Sequence, residues 1–136
     1  MKNAMTRKQF LAEERKLKRP KYRNIKTVVD GITFDSKLEA ARYNELWLME
    51  RAGEIRDLVV HPKYDIVIAG VKVCTYAADF EYEAPHGMKD FSRNWILHIE
   101  DVKAIRTPVY RLKKRLMKVV NGLTVTEWPP RKEREA

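Results

Sequence analysis

Trp95-Ile96-Leu97-His98-Ile99-Glu100-Asp101-Val102-Lys103 is the stretch on which the reading of this chain turns. Its aromatic and β-branched run predicts a buried strand. Alternation puts Trp95, Leu97, Ile99, Asp101 and Lys103 on one face, and Ile96, His98, Glu100 and Val102 on the other. Both faces are largely apolar, as in a central strand covered on both sides. The strand therefore delivers Asp101 and Lys103 to the end of a sheet with a shared direction. Taken alone, such an Asp-x-Lys pair is an ordinary surface ion pair. A second segment, Tyr76-Ala77-Ala78-Asp79-Phe80, changes that reading, because it sets Asp79 on the preceding strand near its neighbour's carboxylate. Two close carboxylates repel unless a divalent cation is shared between them. Hard oxygen donors and a largely hydrated octahedral site point to Mg2+, with Mn2+ able to substitute. With a lysine beside it, that centre suits phosphodiester hydrolysis.

Upstream, Ile25 to Val29 and Ile32 to Phe34 flank Asp30-Gly31, a two-residue type I′ hairpin signal. Ser36 starts a helix that runs to about Arg51 with Gly53 as its C-terminal cap, and Leu38, Ala41, Leu46 and Met49 are expected to face the core. Glu39 carries two readings: the capping-box partner of Ser36, or a further metal contact, direct or through water. Residues 55–60 read as a short strand. Tyr64 to Ala69, a turn at Gly70, and Val71 to Tyr82 read as a long hairpin, with Glu83 to Asn94 a loop. Downstream, Thr107-Pro108 opens a helix with Val109, Leu112, Leu116, Val119 and Val120 as its core stripe. Asn121-Gly122 ends it, and Leu123 to Trp128 forms a last strand. The order predicts an α/β fold, a mixed central β-sheet flanked by helices.

Net charge is +9, and it is unevenly spread: residues 1–26 hold ten Lys or Arg against only Glu13 and Glu14. The excess suits a polyanionic partner, nucleic acid before membrane, since no apolar segment approaches the roughly 20 residues needed to span a bilayer. Residues 1–23 read as a basic arm or short helix, with Thr6 and Gln9 as its cap. Lys18, Arg19, Lys21 and Arg23 are its candidate phosphate contacts; a solubilising tail is the plain alternative. The second helix carries Arg111, Lys113, Lys114, Arg115 and Lys118, read as phosphate contacts or as a solvated face. Residues 24–128 make one domain, and 129–136 a polar tail. The lone Cys74 excludes an internal disulfide and reads as a small core residue. Met1-Lys2-Asn3-Ala4 lacks a signal peptide's apolar stretch, so a cytoplasmic protein is expected. His61, His86 and His98 show no ligand spacing, and the tyrosines and tryptophans read mostly as core.

With these residues in view, the chain resembles the PD-(D/E)XK nuclease superfamily. The matching pieces are Glu39 on the early helix, Asp79, and Asp101-x-Lys103. More closely, Phe34-Asp35-Ser36-Lys37-Leu38-Glu39-Ala40, Ala78-Asp79-Phe80 and Glu100 to Lys113 look like an uncharacterised family of small phage and prophage proteins assigned to that superfamily. The resemblance covers roughly residues 21–127. Ala78 stands where the superfamily name has proline, and Glu100, though adjacent, lacks the two-residue spacing to Lys103 that Asp101 has. The resemblance implies a restriction-endonuclease-like core and magnesium-dependent DNA cleavage. Asp79, Asp101 and the Val102 carbonyl would hold the metal, and Glu39 would support it. Lys103 would orient or activate the attacking water or neutralise the scissile phosphate. Members often act as homodimers, and phage enzymes of this size with a basic arm often act on branched DNA. A four-way-junction (Holliday junction) endonuclease, in the host cytoplasm if phage-encoded, is thus the favoured expectation. The alternatives are a non-catalytic DNA-binding protein on the same scaffold, and an interaction protein whose arm binds an acidic partner.

Overall fold

The computed structural model describes residues 25–86, 94–103 and 105–130. The arm with Lys18, Arg19, Lys21 and Arg23, the middle of the expected 83–94 loop and the end of the tail lie outside the described residues. The chain divides into two compact units, Met1–Lys37 and Leu38–Ala136.

In the first unit, β1 (Thr27–Val29) pairs antiparallel with β2 (Ile32–Phe34), Val29 opposite Ile32. Asp30 and Gly31 both take positive φ, 51° and 76°, the left-handed pair that a type I′ turn requires and that Asp-Gly supplies.

Nearly all of α1 (Lys37–Arg51) lies in the second unit. Its buried residues are Glu39, Ala40, Tyr43 and Leu46, while Leu38 is 40% exposed and Ala41 exposed. Leu46 is fully buried as expected, but Leu38 and Ala41 are not, because Glu39, Ala40 and Tyr43 take the inner positions of the first two turns. Then follow β3 (Arg56–Val60), β4 (Lys63–Ile68), β5 (Val71–Ala77), β6 (Phe80–His86), β7 (Asn94–Val102), α2 (Pro108–Asn121) and β8 (Val125–Trp128). A mixed four-stranded sheet has the order β3-β6-β7-β8, antiparallel except for the parallel β7/β8 pair. The β4/β5 pair forms a separate two-stranded ribbon.

The long hairpin read from Tyr64 to Tyr82 is corrected here. The strand from Val71 is broken at Ala78-Asp79, so β5 stays in the ribbon while β6 joins the large sheet. Pairing runs on across the break: Val60 lies opposite Phe80, and Lys63 opposite Ala77. Between them His61 N–H donates to Asp79 O (2.9 Å) and Ala78 N–H to Pro62 O (3.0 Å). The cause of the bend is local. His61 sits at φ 54°, and Pro62 has no N–H to continue the ladder. The expected loop from Glu83 is also corrected, since β6 continues to His86 opposite Asn94. Pro85 is tolerated because β3 ends its pairing at Glu83, leaving an open edge beside Pro85.

The core joins Ile66 and Tyr76 of the ribbon, Ala78, Ile99 and Val125 of the sheet region, and Met117 of α2, with Cys74, Tyr110, Leu116 and Val120 packed against it. Thr107 caps α2 by accepting from Tyr110 N–H (3.1 Å), Pro108 opens it, and Gly122 at φ 68° closes it, as expected. Its inner face matches the expected stripe at Leu116 and Val120 but not at Val109, Leu112 and Val119, which are 62%, 56% and 75% exposed, whereas Met117 is fully buried. Lys113 and Lys114 lie half-buried, with their ammonium groups hydrogen-bonded. Strand β7 is enclosed only at its C-terminal end. Ile99, Glu100 and Asp101 are 4% exposed or less, but Ile96 and Leu97 are 40% and 43% exposed, so the expectation of cover along the whole strand is corrected. At the enclosed end, Arg42 of α1 holds Glu100 on one face, while Met117 of α2 packs with Ile99 on the other.

Candidate functional site

The bend and the end of β7 meet at one place. Phe80 lies opposite Glu100, so Asp79, one residue before β6, faces the last turnless stretch of β7. Asp79 N–H donates to Glu100 O (3.2 Å) and to Asp101 Oδ1 (3.1 Å), and Val102 N–H donates to Asp79 Oδ2 (2.7 Å). Each aspartate is thus bound to backbone beside the other, which sets both side chains in one orientation. The Tyr76 hydroxyl donates to Asp101 Oδ2. Asp101 is fully buried and Asp79 half-buried.

Burial is the main cause of the electrostatics. It pushes the Asp79 carboxyl up to about 7, with Lys103 opposing the shift and the charges of Asp101 and Glu39 adding to it. Burial also raises Asp101, against Lys103 and the Tyr76 and Asp79 hydrogen bonds. Glu39, Asp101 and Lys103 are therefore near enough to act on the Asp79 carboxyl, and Lys103 on that of Asp101 as well. Lys103 is held through its backbone, its N–H donating to Trp128 O (3.2 Å), and its Nζ lies 4.9 Å from the Tyr110 ring centroid. Glu39, 5% exposed, has its Oε1 2.7 Å from His61 Nε2. Glu100 points to the opposite face. Its oxygens accept from Arg42 Nε (2.7 Å) and Nη2 (2.9 Å) and from the Tyr82 hydroxyl (2.9 Å).

Among the described residues no group of three or more His, Cys, Asp or Glu side chains converges closely enough to hold a metal ion. The donor chemistry nevertheless fits a hard divalent cation. A carboxylate offers about four lone-pair positions, and Asp101 accepts one hydrogen bond on each oxygen while Asp79 accepts one on Oδ2. Positions remain on both. Two carboxyls whose ionised form is disfavoured by burial are also groups that a cation would stabilise.

The expected phosphate contacts on α2 separate into two sets. Arg111 and Lys118 are exposed. Lys113 Nζ donates to Thr75 O (3.1 Å) and Lys114 Nζ to Glu127 Oε1 (3.1 Å). Glu127 lies opposite Asp101 across the β7/β8 pair and also accepts from Arg106 Nε (2.6 Å) and the Tyr110 hydroxyl (3.2 Å). Arg106 first, then Lys114 and Tyr110, hold its carboxyl down to about 2. His61, Tyr76, Tyr110, Arg106 and Glu127 were not read as site residues. His61 had one visible sign, the Pro62 after it; the others depend on strand pairing and helix packing. His98 stacks on Tyr82, with ring centroids 5.4 Å apart and planes 8° from parallel.

Fold and site together define a mixed α/β domain with a buried acidic pair and a lysine at the end of its central strand. Residues 19–128 match DUF1064, described as a protein of unknown function, and the chain belongs to that family. No curated protein and no solved structure matches the chain. Among the described residues no helix is long and apolar enough to cross a membrane.

Proposed function

We propose that the chain is a metal-dependent endodeoxyribonuclease of the PD-(D/E)XK type that hydrolyses DNA phosphodiester bonds. The observation that carries this reading is the Asp79–Asp101 pair, each carboxylate fastened to backbone beside the other, with Lys103 in electrostatic reach of both. Asp79, Asp101 and the Val102 carbonyl would hold Mg2+ or Mn2+, with Glu39 supporting. Such an ion, when bound, lowers the pKa of a coordinated water and stabilises charge on the reacting phosphate. The residues of the chain do the rest. The backbone N–H groups of Asp79 and Val102 orient the two carboxylates. The Tyr76 hydroxyl keeps Asp101 from turning away. Lys103, a cation beside two buried acids, positions the attacking water or neutralises the scissile phosphate. The favoured substrate is branched DNA such as a four-way junction, and a homodimer would cut both strands. The basic composition, +9, supports a DNA partner.

A second reading, a DNA-binding protein without catalysis, is favoured by one observation: Asp101 already accepts from protein donors on both oxygens. One assay separates the two. Linear duplex, single-stranded and four-way-junction DNA are incubated with Mg2+, Mn2+ or EDTA, using native protein and Lys103→Ala. Metal-dependent cutting lost in the variant is the expected result. Binding without cutting, equal in both proteins, would leave the non-catalytic reading.

A further inference from the structure

An open groove of about 490 Å³ is lined by Arg106, Tyr110, Arg111, Lys114 and Glu127. Three of these carry positive charge and one negative. Glu127, 14% exposed, accepts from both Arg106 and Lys114 and so holds two cations on one wall. That fixes their geometry before any ligand arrives. Arg106 contributes Nε and Nη2 to Glu127, and Lys114 one N–H, which leaves further donors on both. Arg111 is exposed and has no acidic partner among the described residues. The groove therefore keeps an excess of positive charge, with N–H donors pre-set on one side and a guanidinium free to close on the other. That is the chemistry of a phosphate site. The tyrosine in its lining has Lys103 over its ring, and Glu127 is the β8 partner of Asp101, one inter-strand step, about 4.8 Å, away.

We infer that this groove binds a backbone phosphate of the nucleic acid, next to the phosphate that meets Asp79 and Asp101. The inference rests on the nucleic-acid reading above but not on catalysis. It also revises the contacts expected from sequence, since Arg106 joins the set and Lys113, bound to Thr75 O, is not among the groove's lining residues. The groove orients the strand: a phosphate held there sets the neighbouring diester against the carboxylate pair.

The test measures binding in EDTA, where no metal-dependent cleavage intervenes, so that failure of the nuclease reading and failure of this one are distinguishable. Fluorescence anisotropy compares the full chain with Arg111→Gln and with Arg51→Gln, which removes an equal charge from α1. Each is titrated with one labelled oligonucleotide, with and without a 5′ phosphate, at several salt concentrations. Inorganic phosphate serves as competitor. Arg111 makes no ion pair among the described residues, so its loss leaves the fold intact. The expected result is about tenfold weaker binding for Arg111→Gln, a salt slope lower by about one, and competition by phosphate that the variant no longer shows. A native preference for the phosphorylated strand, lost in the variant, supports the site as a reader of strand ends. Equal binding of both strands, still weakened in the variant, supports it as a reader of internal diesters. Equal affinities and slopes for Arg111→Gln and Arg51→Gln would overturn the inference.

Discussion

At the scale of single residues, Asp79 and Glu127 carry opposite pH signatures. The Asp79 carboxyl is held at about 7 against an ordinary 3.8. The folded state then binds more protons than the unfolded one between those values. The associated stability is fully present below pH 3.8 and is lost as pH rises towards 7. In EDTA, thermal unfolding should show lower stability at pH 8 than at pH 5, and Asp79→Asn should flatten that limb; no change in the native-minus-variant difference between the two pH values would contradict the buried acid. Glu127 behaves inversely. Its carboxyl is lowered from 4.5 to about 2, so its contribution is present above 4.5 and is lost as pH falls through that interval. Glu127→Gln should lower stability near neutrality in urea unfolding, because Arg106 and Lys114 lose the carboxylate they share. For chemistry, Asp101→Asn should reduce cleavage by at least about 100-fold while keeping most of the DNA affinity; its one remaining oxygen can accept from Asp79 N–H, and its NH2 can meet the Tyr76 hydroxyl only as a donor. Equal cleavage rates would remove Asp101 from the site.

At the scale of elements, the ends of α2 were readable and its face only in part. Thr107-Pro108 and Asn121-Gly122 are local signals that depend on backbone geometry alone. Thr107→Ala should therefore lower stability by about 1 kcal/mol through the lost bond to Tyr110 N–H, with DNA binding unaffected. An unchanged denaturant midpoint would show that the cap contributes nothing. The helix's inner face was read only in part: Leu116 and Val120 pack on the core as expected, but spacing rules count aliphatic residues and do not foresee two half-buried lysines that send their ammonium groups to Thr75 O and Glu127. Similarly, Glu39 took an inner position on α1 that no hydrophobic pattern would assign. The broken strand has a related explanation. Val71 to Tyr82 holds no Gly or Pro to mark a break, and the break at Ala78-Asp79 arises from its partner, where His61 and Pro62 disrupt the ladder.

At the scale of the whole molecule, the charge distribution makes a prediction independent of the site. Residues 1–23 hold nine of the 28 basic residues. Affinity for duplex DNA should fall steeply with salt, and removal of residues 1–23 should reduce the log–log slope by several units while leaving metal-dependent cleavage of bound DNA detectable. A slope unchanged by the deletion would assign the electrostatics to residues 24–136, including the Arg106–Arg111–Lys114 groove.

The sequence alone determined the β-hairpin at Asp30-Gly31, the positions of the two helices among the described residues, the strand that leads into Asp101-Val102-Lys103, and the nearness of Asp101 to an upstream Asp79. These follow from local backbone preference and residue spacing, which act within a few residues. Only the tertiary structure decided which helix faces are inner, that one long strand is divided between two sheets, and that Glu100 is turned to Arg42 and Tyr82 while Asp101 receives Tyr76. It also decided that Arg106, Lys114 and Glu127 surround one groove. Those outcomes depend on contacts between residues far apart in the chain, and on charged side chains whose burial is stable only because a distant partner satisfies them.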